Sequence, residues 1–185
     1  NVLAQKDTFA QLPTVGGKSI CYQIPALLQD GLTLVISPLV SLIKDQVENL
    51  QKKGIKAIGL TGGIPQDEVS DLLDNCQYGN YKLLYLSPER LQSDWILERL
   101  KNLPVHLIAV DEAHCISQWG NDFRPAYLKI TNLKTHFPKT PILALTASAT
   151  PRVKQDIISI LKLENVSVFE KSFDRDNIAY MVFDL

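Results

Sequence analysis

Residues 12–19 read Leu12-Pro13-Thr14-Val15-Gly16-Gly17-Lys18-Ser19, between a short apolar run at 7–12 and a stretch in which Ile20, Ile24, Leu27 and Leu28 recur at helical spacing. The order is strand, loop, helix. A glycine-bearing loop at a helix N-terminus holds phosphate because the first backbone N–H groups of a helix lack partners and the helix dipole adds partial positive charge. Thr14, Gly16 and Gly17 would let the backbone come close to the phosphates. Lys18 would reach the outer ones, and the Ser19 hydroxyl would ligate a magnesium ion bridging them. Taken alone, Gly-Lys-Ser is also what a glycine-rich turn looks like. The loop needs an acidic partner.

That partner stands at the end of another strand-like run, where Leu107-Ile108-Ala109-Val110 leads into Asp111-Glu112-Ala113-His114. In an open parallel sheet, ligands bind outside the carboxyl ends of the strands, so acids there face the same crevice as a phosphate loop. Asp111 is expected to hold the magnesium and Glu112 to orient and deprotonate the water that attacks a terminal phosphate. An isolated Asp-Glu pair would read as a solvated loop.

The rest of the chain supports this architecture. Apolar runs of strand length recur at 7–12, 32–37, 57–60, 82–87, 105–110, 141–146 and 166–169. Helical patterns fill the gaps: Val40, Ile43, Val47 and Leu50 share one spacing, and further helices are predicted at 66–74, at 94–101 behind a Ser93 cap, and at 152–161 behind Thr150 and Pro151. Alternating strands and helices predict an α/β fold, a parallel sheet with helices on both faces.

With these residues in place, the chain resembles the RecQ family of superfamily 2 helicases. The resemblance runs through the phosphate loop and Cys21-Tyr22-Gln23-Ile24-Pro25-Ala26, then residues 37–46 and Ser87-Pro88-Glu89-Arg90. Its longest part is residues 111–125, DEAHCISQWGNDFRP, and it ends in residues 144–150, ALTASAT. It implies a RecA-like P-loop NTPase domain at 1–171, the first lobe of a motor that uses ATP and Mg2+ to move 3′ to 5′ on single-stranded DNA. Trp119 and Phe123, in the aromatic-rich loop, would stack on bases, Arg124 would touch phosphate or the nucleotide site, and Gln118 would sit between the two ligands. Ser37, Pro38, Lys44, Ser87 and Arg90 would contact the DNA backbone. Thr146 and Ser148, joined by His114, would relay the nucleotide state. His106 and His136 are expected to be ordinary surface or satisfied histidines.

The same comparison marks departures. Val15 stands where the family usually has glycine; a β-branched residue disfavours positive φ, so Val15 is expected to weaken ATP binding. Asn121 replaces a common histidine and Ala126 a common acidic residue. By the resemblance, an adenine-reading segment would precede Asn1, residues 172–185 would begin a linker, and a second lobe carrying the transition-state arginine would follow. The chain alone is therefore expected to hydrolyse little ATP and to unwind nothing.

Composition narrows the alternatives. In 185 residues, 45% hydrophobic, a formal net charge of −1 excludes a globally basic nucleic-acid binder, so any DNA contact is local. Cys21, Cys76 and Cys115 are widely spaced, without a CxxC pair, which implies neither zinc nor disulfides. No apolar run approaches the roughly 18 residues that span a bilayer. The expectation is a monomeric intracellular protein, in the cytoplasm or nucleoid of a bacterium or the nucleus of a eukaryote. Two competing readings remain at this level: another superfamily 2 remodeller such as an RNA helicase, and a noncatalytic nucleotide-dependent binding module.

Overall fold

A computed structural model of the chain describes residues 1–13 and 17–171. Seven strands form one sheet: β1 (Thr8–Gln11), β2 (Leu32–Ile36), β3 (Ala57–Leu60), β4 (Leu83–Leu86), β5 (Val105–Val110), β6 (Ile142–Thr146) and β7 (Ser167–Glu170). Their order is β3-β4-β2-β5-β6-β1-β7, and every pairing is parallel. All seven predicted strands are present. Between them lie α1 (Ile20–Leu28), α2 (Val40–Lys52), α3 (Gln66–Tyr78), α4 (Asp94–Lys101), α5 (Thr131–His136) and α6 (Pro151–Ile160).

Strand residues alternate between two cores, as the pleat requires. Leu34, Leu84, Ile108 and Ala144 pack on the face covered by α3, α4, α5 and α6. Val35, Tyr85, Ala109 and Leu143 pack on the other face, with Tyr22 and Ala26 of α1 and Ile43 and Leu50 of α2. The strands are near-continuous apolar runs because both faces are covered.

Helix α1 departs from the sequence-based expectation. Ile20, Ile24, Leu27 and Leu28 all point outward, Leu28 at 67% exposure, while Tyr22, Pro25 and Ala26 are buried. The segment Ile20-Cys21-Tyr22-Gln23-Ile24-Pro25-Ala26-Leu27-Leu28 is apolar nearly all round, so its periodicity marks two candidate stripes and cannot choose between them. In α2, Ile43 and Leu50 are buried as expected and Val47 packs beside them, but Val40 is exposed. Helix α3 runs past residue 74 to Tyr78, and α5 has no counterpart among the predicted helices. The caps match: Ser93 Oγ accepts from the Ile96 N–H and Thr150 Oγ1 from the Val153 N–H. Thr150→Ala is expected to remove about 1 kcal/mol of stability, lowering the melting temperature by roughly 2–4 °C in a calorimetric scan. Residues 172–185, read as a linker, lie outside the described residues.

Because all strands run the same way, the loops after β1, β2, β3, β4, β5 and β6 emerge at one rim. Each described residue assigned a chemical role from the sequence lies on that rim or in the first turns beyond it.

Candidate nucleotide site and its coupling loop

Lys18 and Ser19 lead directly into α1, whose first turn is built from Ile20 N–H to the Gly17 carbonyl and Cys21 N–H to the Lys18 carbonyl. Gly17 has φ +72°, a left-handed conformation that glycine adopts freely. Thr14, Val15 and Gly16 lie outside the described residues. Across the crevice, the Lys18 ammonium donates to Glu112 Oε1 at 2.6 Å, with both side chains largely shielded from solvent. The phosphate-loop lysine and the acidic pair therefore meet.

The two acids are held differently. Asp111 extends β5 by one residue, its N–H donating to the Ile36 carbonyl at the end of β2. The residue is 7% exposed, and its carboxylate accepts from the Glu112 N–H at 3.0 Å. Burial, and then the Glu112 charge, push Asp111 up to about 6, against the opposing pull of Lys18 and that N–H. Glu112 sits at φ 47°, ψ 46°. A non-glycine residue there carries roughly 1–2 kcal/mol of strain, held in place by the short helical turn Ala113–Ile116 that follows. Tyr127, fully buried, donates its hydroxyl to the Asp111 carbonyl at 2.9 Å and braces the turn from below.

From Glu112 a chain of contacts runs to the β6 loop. His114 Nδ1 lies 3.4 Å from Glu112 Oε2 and shares a 2.9 Å hydrogen bond with Thr146 Oγ1, which accepts from the Ser148 N–H at 3.1 Å. Burial lowers the His114 pKa despite the neighbouring Glu112, which favours the neutral imidazole as a hydrogen-bonding link. The predicted relay residues are thus in mutual contact.

The aromatic-rich loop leaves this turn. Gln118 is exposed, Trp119 is 59% exposed, and Phe123 is half-buried. A β-carbon at Gly120 would collide with the His114 carbonyl oxygen, so only glycine lets the loop fold back at that point. Arg124 donates from Nε and Nη2 to Asp122 Oδ2 at 3.1 and 3.0 Å, and from Nη1 to the Pro38 carbonyl at 3.1 Å. Its guanidinium is engaged by the protein itself and ties the loop to the end of β2.

The residues expected to touch DNA backbone lie farther along the rim. Ser37 and Ser87 are buried at the ends of β2 and β4, and Lys44 is exposed on α2. Arg90 donates to the carbonyls of Thr61 and Ile64 and so clasps the β3–α3 loop. The three cysteines are free. His136 Nδ1 is bonded to the Asn132 carbonyl and is satisfied, whereas His106 bonds Thr33 through Nε2 and leaves its buried Nδ1 without a partner among the described residues. Tyr127 and the Ser117–Asp156 hydrogen bond were not anticipated from the sequence. Their only signal is long-range packing, which a linear pattern does not carry.

Comparison with known proteins agrees with this geometry. Residues 1–157 match the family model described as DEAD/DEAH box helicase. The chain is 46% identical over 183 residues to the probable ATP-dependent DNA helicase RecS of Bacillus subtilis, covering 98% of this chain and 36% of that protein. It is 48% identical over 175 residues to the ATP-dependent DNA helicase RecQ of Haemophilus influenzae, covering 95% of this chain and 28% of that one. The chain thus spans about a third of the length of these relatives. The Hef helicase domain of Pyrococcus furiosus superposes over 91% of the chain and 36% of its own, with a TM-score of 0.69 at 24% identity, a likeness of fold. Among the described residues no helix is long and apolar enough to cross a membrane. With a lysine loop and an acidic pair closing one crevice at the carboxyl rim of a parallel sheet, and RecQ-type helicases among its relatives, the chain belongs to the DEAD/DEAH box helicase family.

Proposed function

We propose that residues 1–171 are the first RecA-like lobe of an ATP-dependent 3′–5′ DNA helicase of the RecQ type, and that residues 172–185 begin the link to a second lobe. The carrying observation is the 2.6 Å contact between Lys18 and Glu112, which brings the phosphate loop and the acidic pair into one crevice. In this reading ATP enters with its outer phosphates against the loop of Thr14, Gly16, Gly17, Lys18 and Ser19. Lys18 exchanges its carboxylate partner for phosphate, freeing Glu112 to orient and deprotonate the attacking water.

The residues suit magnesium. Asp111 is a buried carboxylate raised to about 6, a state that a divalent cation relieves. The Ser19 hydroxyl, phosphate oxygens and water would complete the coordination beside Asp111. Bound there, magnesium neutralises charge on the outer phosphates. The relay from Glu112 through His114 and Thr146 to Ser148 connects this site to the base of α6, and Arg124 connects the aromatic-rich loop to Pro38. Single-stranded DNA would lie along Ser37, Pro38, Lys44 and Ser87 and stack on Trp119 and Phe123, with Gln118 between the two ligands. A second lobe supplies the transition-state arginine.

Calorimetry with a nonhydrolysable ATP analogue tests the lobe directly. Binding is expected to require Mg2+ and to fall at least tenfold in Lys18→Ala. Equal affinity in that variant would end the nucleotide reading. In a longer protein carrying the second lobe, ATPase stimulation by DNA over RNA is expected; the reverse preference would point to an RNA helicase.

A further inference from the structure

Helix α6 begins with a placement that the helix itself opposes. Arg152 stands in the first turn, immediately after Pro151, where the helix dipole disfavours a cation, and no acidic residue offsets it there. What Arg152 has instead is a ring. Its guanidinium carbon lies 3.4 Å from the centroid of the Trp119 indole, a stacked contact between two planar groups. One turn later on the same helix, Asp156 grips the root of the same loop. The fully buried Ser117 donates its hydroxyl to Asp156 Oδ2 at 2.6 Å and accepts from the Trp119 N–H at 3.1 Å.

Trp119 nevertheless remains 59% exposed. With Gln11, Ser148, Thr150 and Val153 it lines an open groove of about 330 Å³. A ring on a free loop loses conformational freedom when a ligand stacks on it, whereas a ring already held loses less. Helix α6 also starts from the segment that Thr146 ties to His114, through Ser148 and the Thr150 cap. The helix that holds the indole is therefore attached, at its first turn, to the hydrogen-bond chain from the acidic pair.

We propose that Arg152 is a positioning residue: by stacking on one face of Trp119 it presets the indole so that the opposite face receives a base of single-stranded DNA. This rests on the reading of the Trp119 loop as a DNA contact. The competing role for an exposed arginine is a direct phosphate contact, and the two make opposite demands on charge and shape. A phosphate contact tolerates lysine and contributes to the salt dependence of binding; a stack on indole needs the planar guanidinium and leaves the salt dependence alone.

The test uses the 185-residue chain in a Trp95→Phe background, which leaves Trp119 as the single tryptophan. Without DNA, Arg152→Ala is expected to make Trp119 fluorescence more readily quenched by acrylamide and lower in anisotropy, with the circular dichroism spectrum unchanged. Affinity for a labelled thymidine 16-mer is expected to fall roughly tenfold in both Arg152→Ala and Arg152→Lys, with an unaltered slope of log affinity against log salt. Recovery of affinity by lysine, or a slope reduced by about 0.7, the share of one phosphate contact on a single strand, would overturn the positioning role. Should Trp119→Ala weaken binding while Arg152→Ala does not, the positioning role alone falls. If Trp119→Ala leaves affinity unchanged, the DNA reading of the loop falls and the proposal with it.

Discussion

Replacing Asp7 by alanine is expected to destabilise the fold by about 3–5 kcal/mol, more than any single change at the nucleotide crevice. Asp7 sits at the start of β1, at the rim opposite the site, almost wholly buried. Its two carboxylate oxygens accept from the Ile142 N–H and the Glu164 N–H, each at 2.8 Å, and from the Lys134 ammonium at 3.2 Å. One side chain thus ties β1 to the start of β6, to the turn before β7 and to α5. Alanine leaves the buried amide of Ile142 and the mostly buried Lys134 without a partner, and each unsatisfied group carries a desolvation penalty of about 1–3 kcal/mol, more for the charged one. Asp7→Asn keeps one carbonyl acceptor and is expected to lose less. Urea unfolding should show the midpoint falling with an unchanged slope. A loss below about 1 kcal/mol in Asp7→Ala would mean that the network relaxes around the gap.

Glu112→Gln is expected to separate nucleotide binding from turnover. Glutamine cannot take a proton from water, so in a protein carrying both lobes the ATPase rate should fall by about 10²–10⁴. Binding should move the other way. Lys18 spends its ammonium on Glu112 at 2.6 Å in the nucleotide-free state, and the neutral amide releases it for phosphate. Taking the net contribution of this largely shielded pair as on the order of 1 kcal/mol, affinity for an ATP analogue should rise about fivefold. Removing the Glu112 charge also removes one of the two causes that lift the Asp111 pKa, which favours the ionised carboxylate. Rates unaltered by the substitution would instead identify a noncatalytic binding module.

The crevice was legible in the sequence for a geometric reason. Gly-Lys-Ser after one buried strand and Asp-Glu after another converge whenever the sheet is parallel, because every strand then ends at the same rim; local pattern plus one fold class sufficed. The relay of His114, Thr146 and Ser148 came from the resemblance to RecQ helicases, not from local pattern. Helix faces were harder. Helix α1 offered two apolar stripes, and only the position of the sheet decides that Tyr22 and Ala26 go inward. Arg90 and Arg124 show a second limit: the sequence reveals a cation, but whether it meets a ligand or a backbone carbonyl depends on loops that approach from far along the chain. Asp7 and Tyr127 belong to no motif, and their roles come from partners more than a dozen residues away.

The position of β1 has a bearing on how the molecule is assembled. This strand is synthesised before the other six, yet both its neighbours in the sheet, β6 and β7, come last in strand order, at residues 142–146 and 167–170. Until those emerge, its backbone amides have no ladder to join, and Asp7 has neither of its amide donors. The strands β2, β3, β4 and β5 need no such delay, since they pair among themselves. Vectorial synthesis therefore favours a four-strand nucleus into which β1 is zipped only once β6 and β7 have been made.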